Sequence, residues 1–534
     1  MTEALSPVRQ RRRRTSNSKT GCQTCKIRRV KCDESKPTCQ RCTSTGRKCD
    51  GYVSDILPSN PHDHQSAAII HRAITRISGT AQEKRGFQYF ITNTARELTG
   101  YYTSSFWEHL ILQASVAEPS LRHAVIAIAA LHEEFSNRRL GGASPGHENT
   151  ESLFAINQYM KAVSHLRRSL STGKQAPLTA LMSCLLFISF DYLRGHFDSA
   201  MMHLQSGLDI LPDLSSQSKE DRDIVEQIMA PLFMRLTVQS ILYIDTRNAF
   251  DQRRFAKQLM RVRTRELAPI PEAFEDLEEA RSALDMATNG LFRLMPKQED
   301  QPMYAQPPEA YATYKTYSAQ LLAWDSSFSA FMSLKSHALN DLQVRGAALL
   351  KIHHTTVTIM GRSIPGLTDP RSIAVAANDP MVFARCTNDL QTIVNLSQSL
   401  VAAAEQDIQS GNGRVAGGVT FSTDMGVVAP LYYVCIKCAD VLLREQAIEL
   451  LSRCPRREGM WDSVLGVRMI REFWGMEEAH RILRQGAVEL VLEDDGRWEW
   501  TFRDGDSRGE GGDVGYKAER TPMSYNVAYV PYQP

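Results

Sequence analysis

Six of the chain's eleven cysteines fall within 28 residues, at Cys22-x2-Cys25-x6-Cys32-x6-Cys39-x2-Cys42-x6-Cys49, and no other feature restricts so sharply what this sequence can fold into. The others, Cys184, Cys386, Cys435, Cys438 and Cys454, are scattered. Read as C-x2-C-x6-C written twice, the run is an internal repeat. Each x2 pair can grip one metal from a tight turn, and the third cysteine returns after a short helix. Zinc in a closed structural site takes four thiolates in a tetrahedron at roughly 2.3 Å. Two ions therefore need more ligand positions than six sulfurs supply, unless two sulfurs bridge. The count points to a binuclear cluster holding two Zn²⁺. Two rivals stand beside it: a single four-cysteine site from Cys22, Cys25, Cys39 and Cys42 that leaves Cys32 and Cys49 idle, and a disulfide knot. The knot suits an exported chain. Here Met1 is followed by no apolar signal segment but by Arg11, Arg12, Arg13 and Arg14, so an intracellular protein with reduced, metal-ligating thiols is expected.

A formal net charge of +2 conceals a strong asymmetry. Residues 1–50 hold 14 Lys and Arg against 4 Asp and Glu, a balance of +10, leaving 48 basic and 56 acidic residues, or −8, for the rest. Two Zn²⁺ with six thiolates carry −2, which leaves a head of about +8. A basic head on an acidic body is the electrostatic footprint of a polyanion binder, usually nucleic acid.

The six-cysteine spacing, the basic run Lys26-Ile27-Arg28-Arg29-Val30-Lys31 and Lys36-Pro37 ahead of Cys39 resemble the fungal Zn2Cys6 binuclear zinc cluster DNA-binding domain. The resemblance implies that Cys22 and Cys39 bridge, that Cys25 with Cys32 and Cys42 with Cys49 complete the two tetrahedra, and that Pro37 turns the chain between the halves. It further implies a short helix entering the major groove over a CGG-type triplet. Three and four residues after its x2 pair the first half offers Arg28 and Arg29, whereas the second offers Thr45 and Gly46, so only the first half can read bases. Many members carry lysine at these two positions; arginine can fork onto guanine O6 and N7. Lys26, Lys31, Lys36, Arg41, Arg47 and Lys48 read as phosphate contacts or solvated charge. The run Arg11 to Arg14 reads as a nuclear import signal or a DNA-tracking arm.

Beyond a turn-rich linker with Pro58 and Pro61, the pattern from about Phe87 is helix after helix. Leu121, Val125, Ile128 and Leu131 follow Pro119; Ile156, Tyr159, Met160, Val163 and Leu166 form a second stripe, and Leu178, Leu181, Leu185 and Ile188 a third. Loops are expected at Gly141–Thr150, Leu214–Glu220, Lys297–Glu309 and Gly411–Thr423, and a hairpin from Ala487–Leu492 and Arg497–Phe502. The acidic, aromatic stretch Glu493–Asp506 is alternatively an activation segment. The uncharged stretch Gln175–Phe190 falls short of the roughly 20 residues that cross a bilayer, so no membrane span is expected. Phe106-Trp107, the helix Leu121 to Glu133, Leu193-Arg194-Gly195, and the stretch from Pro430 through Cys438, Arg444 and Ala447 to Arg456-Arg457-Glu458-Gly459-Met460-Trp461 resemble the fungal-specific transcription factor domain. That resemblance implies a helical regulatory region over roughly residues 85–485.

Other motifs carry less. Gly411-Asn412-Gly413-Arg414-Val415-Ala416 matches a dinucleotide fingerprint but follows helical rather than strand-like residues. Cys435 and Cys438 lie on an apolar helix without a second pair and read as core thiols. His353-His354 has no evident catalytic partner, and no nucleophile or zinc-protease motif occurs, so no enzyme is expected. The expected fold is a small two-zinc, six-cysteine cluster domain followed by a large all-α helical domain. Its segments are a basic arm (1–20), the Zn2Cys6 domain (21–51), a linker with a short helix (52–85), the all-α regulatory domain (86–485), and a hairpin with a disordered tail (486–534). Between Asp50 and Gly86 the only apolar helical patch, Ala67 to Ile77, is too short for a coiled coil. It reads as the body's first helix. The expected function is sequence-specific regulation of RNA polymerase II transcription in the nucleus. The partners are double-stranded DNA and, through the helical body, transcription machinery, co-regulators and a second copy of the chain. A zinc-folded protein-interaction or RNA-binding nuclear factor is the alternative, and a helical enzyme with a DNA-binding head is a third reading that lacks a catalytic constellation.

Overall fold

The computed structural model describes residues 24–25, 28, 30–33, 35, 39–47 and 49 near the N-terminus. Beyond these it describes 78–138, 148–171, 177–211, 219–243, 268–292, 294, 308–362, 383–409, 420–453, 455–474, 488–492 and 498–502. The chain divides into two compact units, Met1–Arg76 and Ile77–Pro534. The first contains helix α1 (Gln40–Thr43), described with the metal centre.

The second unit is built from helices. The first of them, α2, spans residues 81–98 with a π-helical turn at Phe90–Thr94. It starts six residues before the apolar periodicity does, because Thr80 and Glu83 form a capping box: the Glu83 N–H donates to Thr80 Oγ1 at 3.2 Å and the Thr80 N–H to Glu83 Oε2 at 2.9 Å. There follow α3 (106–117), α4 (Pro119–Arg138), α5 (Glu148–Ser171), α6 (Pro177–Arg194), α7 (Phe197–Ile210) and α8 (219–243). Helix α4 begins on Pro119, whose missing N–H costs nothing in a first turn, and packs on α5 and α6. Its expected stripe Leu121, Val125, Ile128 and Leu131 is buried, but so is every residue from Ala124 to His132, which makes α4 a central rather than a surface helix.

Helix α6 is central too. Pro177–Arg194 is long and apolar enough, by length and composition, to cross a membrane, which the shorter uncharged stretch did not suggest, yet Leu181 to Leu193 is buried within the protein. Helix α5 departs from its expected stripe. Met160 is 58% exposed, and the buried positions are Ala155, Gln158 and Ala162. Small alanines let α5 approach α4 closely, and Gln158 is drawn inward by polar partners, donating to Glu83 Oε1 at 3.0 Å and bonding His123 Nδ1 at 2.7 Å.

The later helices are α9 (Leu277–Phe292), α10 (Pro308–Lys335), α11 (Asp341–Arg362), α12 (Thr387–Gln409), α13 (Val428–Lys437), α14 (Val441–Arg453) and α15 (Ser463–Trp474). They enclose a core around Trp324. The Trp324 indole N–H donates to the Ala280 carbonyl at 2.7 Å, and its ring stacks on Phe328 at 4.6 Å and His354 at 4.7 Å. Helices α8 and α9 meet across a buried ionic network, in which Asp424 takes Arg281 at 2.6 Å and Arg235 at 3.3 Å, while Arg235 reaches Asp285 at 2.9 Å. Burial alone would raise the Asp424 carboxyl, but the two guanidinium groups outweigh it and hold it below the usual range. The Arg281 guanidinium also lies 4.1 Å from the centre of the Tyr102 ring.

A small sheet interrupts the helices. Strand β1 (Thr420–Ser422) runs parallel to β2 (Arg456–Glu458), which pairs antiparallel with β3 (Trp461–Asp462). The expected loop Gly411–Thr423 therefore ends in a strand. Gly459, at φ +57°, makes the turn between β2 and β3. The expected hairpin is present as β4 (Val488–Leu492) and β5 (Trp498–Phe502), with Leu492 opposite Trp498. The apolar patch at 67–77, the dinucleotide-like run at 411–416 and the tail after 502 lie outside the described residues.

Candidate metal centre and nucleic-acid interface

The first unit repeats itself in its backbone as it does in its sequence. In the first half the Val30 N–H donates to the Cys25 carbonyl at 3.1 Å; in the second, the Arg47 N–H donates to the Cys42 carbonyl at 3.0 Å. Each bond folds the five residues after an x2 pair back onto its second cysteine. Cys39 caps α1, its sulfur accepting the Cys42 N–H at 3.3 Å. Asp33 supplies the other cap, accepting from the Gln40 N–H at 2.9 Å, the Arg41 N–H at 2.8 Å and the Ser35 hydroxyl. The Ser35 hydroxyl first, and then the Arg41 N–H, hold the Asp33 carboxyl well below the usual carboxylate range. The spacing of the cysteines hid this residue, because a cap that reaches α1 from six residues before Cys39 follows no local capping pattern.

These caps bring the cysteines together. The sulfurs of Cys25, Cys32 and Cys39 lie within 4.8 Å of one another, and so do those of Cys39, Cys42 and Cys49. Cys39 belongs to both groups. Cys25 Sγ is 3.7 Å from Cys39 Sγ and 3.8 Å from Cys42 Sγ, so the two groups adjoin. Four thiolates at about 2.3 Å from one ion are about 3.8 Å apart, so the donor set and its spacing fit zinc. Cys25, Cys39 and Cys42 are fully buried and Cys32 nearly so, and no disulfide joins the described cysteines. The sixth cysteine, Cys22, lies outside the described residues.

Arg28 is partly buried and donates from Nη1 to Thr45 Oγ1 at 3.3 Å; Lys31, Arg41 and Arg47 are exposed. Lys26 and Arg29, expected beside them, and Arg11 to Arg14 in the arm lie outside the described residues.

Motifs of the body prove structural. Arg457 donates to the carbonyls of Tyr192 and Leu193 at 3.3 and 3.0 Å, and to Asp462 Oδ2 at 2.8 Å. It thereby closes the C-terminal end of α6 and joins two sequence stretches that are more than 260 residues apart. Asp462 in turn caps α15 through the N–H groups of Val464 and Leu465. Glu458 accepts the N–H groups of Gly426, Val427 and Val428 at 3.0, 3.2 and 2.8 Å, which caps α13. The Arg457 and Glu458 roles have no local sequence signal. His353 and His354 donate to the carbonyls of Gly426 and Leu321, both at 2.9 Å, and are spent on packing. Burial pushes the Cys435 and Cys438 thiols up, away from the thiolate a metal needs.

Comparison with known proteins matches residues 20–55 to the fungal Zn(2)-Cys(6) binuclear cluster domain and residues 85–258 to the fungal specific transcription factor domain. The chain carries both domains of the fungal zinc-cluster transcription regulators. The second match ends at residue 258, and α9 to α15 continue the body beyond it. The aspercryptin biosynthesis cluster-specific transcription regulator atnN of Emericella nidulans is 24% identical over 88% of this chain and 89% of its own length. The transcription regulator lscL of Purpureocillium lilacinum is 30% identical over 114 residues, 21% of this chain and 27% of its own. No solved structure matches the chain. Zinc binding and DNA binding follow from the cluster domain, and the relatives point to a regulator of transcription rather than an enzyme.

Proposed function

We propose that this chain is a nuclear regulator of RNA polymerase II transcription whose zinc module reads a CGG-type triplet in the major groove. In this reading Cys22, Cys25, Cys32, Cys39, Cys42 and Cys49 hold two Zn²⁺, with Cys22 and Cys39 bridging. The zinc supplies the module's folding free energy. The observation that carries the reading is the membership of Cys39 in both sulfur groups, since a shared sulfur is what a six-thiolate, two-ion site requires. Arg28 and Arg29 read bases, Lys26 and Lys31 hold phosphates, and Arg11 to Arg14 serve import or track along the duplex. The domain boundaries follow the same division: arm 1–20, cluster 21–51, linker 52–85, regulatory body 86–485, and hairpin and tail 486–534. The body engages co-regulators and, through its helices, a second copy of the chain. The name of the Emericella relative ties it to one biosynthetic gene cluster, which makes a set of co-located genes the target class to examine first.

Selection of bound sites from random duplexes by the zinc-loaded protein tests the reading. A shared CGG-type triplet is the expected outcome, with Arg29→Ala costing about 1 to 3 kcal/mol on that triplet and flattening discrimination. Enrichment of no common triplet, or preference for RNA over duplex DNA, contradicts it.

A further inference from the structure

The second half of the cluster presents Thr45 and Gly46 where the first half presents Arg28 and Arg29, and so offers no long basic side chain to read a base. The structure gives that half another task. Thr45 stands three residues after Cys42 as Arg28 stands three after Cys25, so the two are equivalent positions of the internal repeat. They meet directly, the Arg28 guanidinium donating from Nη1 to Thr45 Oγ1 at 3.3 Å. The Thr45 hydroxyl is itself fixed, because its proton faces the carbonyls of Arg41 at 2.9 Å and Cys42 at 3.0 Å at the end of α1. A hydroxyl has one donor and two acceptor lone pairs, so spending the proton on α1 turns a lone pair toward Arg28.

We infer that Thr45 is a positioning residue for base reading, holding from the non-reading half the Arg28 guanidinium that the reading half presents to DNA. The inference rests on the assignment of Arg28 and Arg29 as the reading pair. Arginine has a long, rotamer-rich side chain, and ordering it on contact with a base opposes binding. A bond within the protein removes part of that ordering. It occupies one of five guanidinium N–H groups and leaves the others for a base or phosphate.

Affinities of the zinc-loaded full-length protein for its best duplex and for single-base variants of that duplex test the inference. Thr45→Val keeps the shape and removes the acceptor. It is expected to lower discrimination between best and altered sites by about three- to ten-fold, with zinc content unchanged, and Thr45→Ser is expected to restore it. In an Arg28→Ala background Thr45→Val is expected to change discrimination no further. Unchanged discrimination in Thr45→Val, a fall in its zinc content, failure of Thr45→Ser to restore it, or an equal loss in the Arg28→Ala background overturns the inference. If the unaltered protein shows no base discrimination, the reading of Arg28 and Arg29 fails. If it discriminates and Thr45→Val does not matter, only the role of Thr45 falls.

Discussion

In the first unit the described buried side chains are Cys25, Cys32, Cys39 and Cys42, with Val30 and Cys49 packed beside them; in the second, the buried set runs from Phe87 through Trp324 to Ile470. A module of that size has too little apolar surface to offset its chain entropy, and a metal bound by its thiolates must supply the difference. The body has surplus enough to bury charged groups such as Arg281 and Asp424 and to tie its helices together through them. Folding thus depends on one chemical species in the first region and on distributed packing in the second. The two regions should fail under different insults.

Chelation separates them most strongly. Structural zinc contributes on the order of 10 kcal/mol to folding in small zinc modules. Excess chelator is therefore expected to open residues 22–49 to protease and abolish DNA binding while the helical circular dichroism and melting of the body stay as they were. Loss of both together would show that the body also depends on zinc.

The ionic network is the body's counterpart. Arg281→Ala leaves the buried Asp424 charge facing Arg235 alone, and removal of one partner of a buried pair typically costs about 3 to 5 kcal/mol. Urea unfolding is expected to show that loss with zinc content unaltered, and a change under about 1 kcal/mol would mean the network is poorly desolvated.

A smaller effect depends on pH. Burial raises the Asp191 carboxyl to about 7, with Arg194 opposing, and burial lowers His203, which lies 3.6 Å away. Burial thus disfavours the charged form of both groups. Because the folded value of Asp191 lies above its unfolded value near 3.9, this group's contribution is fully present below about pH 4 and is lost as pH rises through 7. Asp191→Asn is therefore expected to stabilise the body at pH 8, by about 4 kcal/mol at most, and to make little difference at pH 4. A stabilisation independent of pH in denaturation curves would place the effect elsewhere.

The two regions also differ in what their sequence discloses. Cysteine spacing governs which sulfurs can come together, so the two sulfur groups around Cys39 are legible before any fold. What spacing could not reveal was how the turns are held: Asp33 reaches α1 from outside the repeat, and Thr45 meets Arg28 only once the halves fold together. In the body, apolar period identified helices, and the paired short runs Ala487–Leu492 and Arg497–Phe502 identified β4 and β5. Period failed where burial is complete or where the close approach is made by small residues. In α4 and α6 nearly every face is covered, and in α5 Ala155 and Ala162 face inward while Met160 faces out. Strands of two or three residues, such as β1 and β3, are too short to alternate. Arg457 closes α6 and Glu458 caps α13 across long sequence separations, where no local pattern can exist.

In the proposed centre Cys39 is the sulfur shared by two metal sites, and zinc per chain in the purified full-length protein, compared with Cys39→Ala and Cys49→Ala, tests that sharing most directly. Two equivalents are expected in the unaltered protein, with Cys39→Ala losing both and Cys49→Ala retaining one. A single equivalent in the unaltered protein, or Cys39→Ala holding as much zinc as Cys49→Ala, would contradict it.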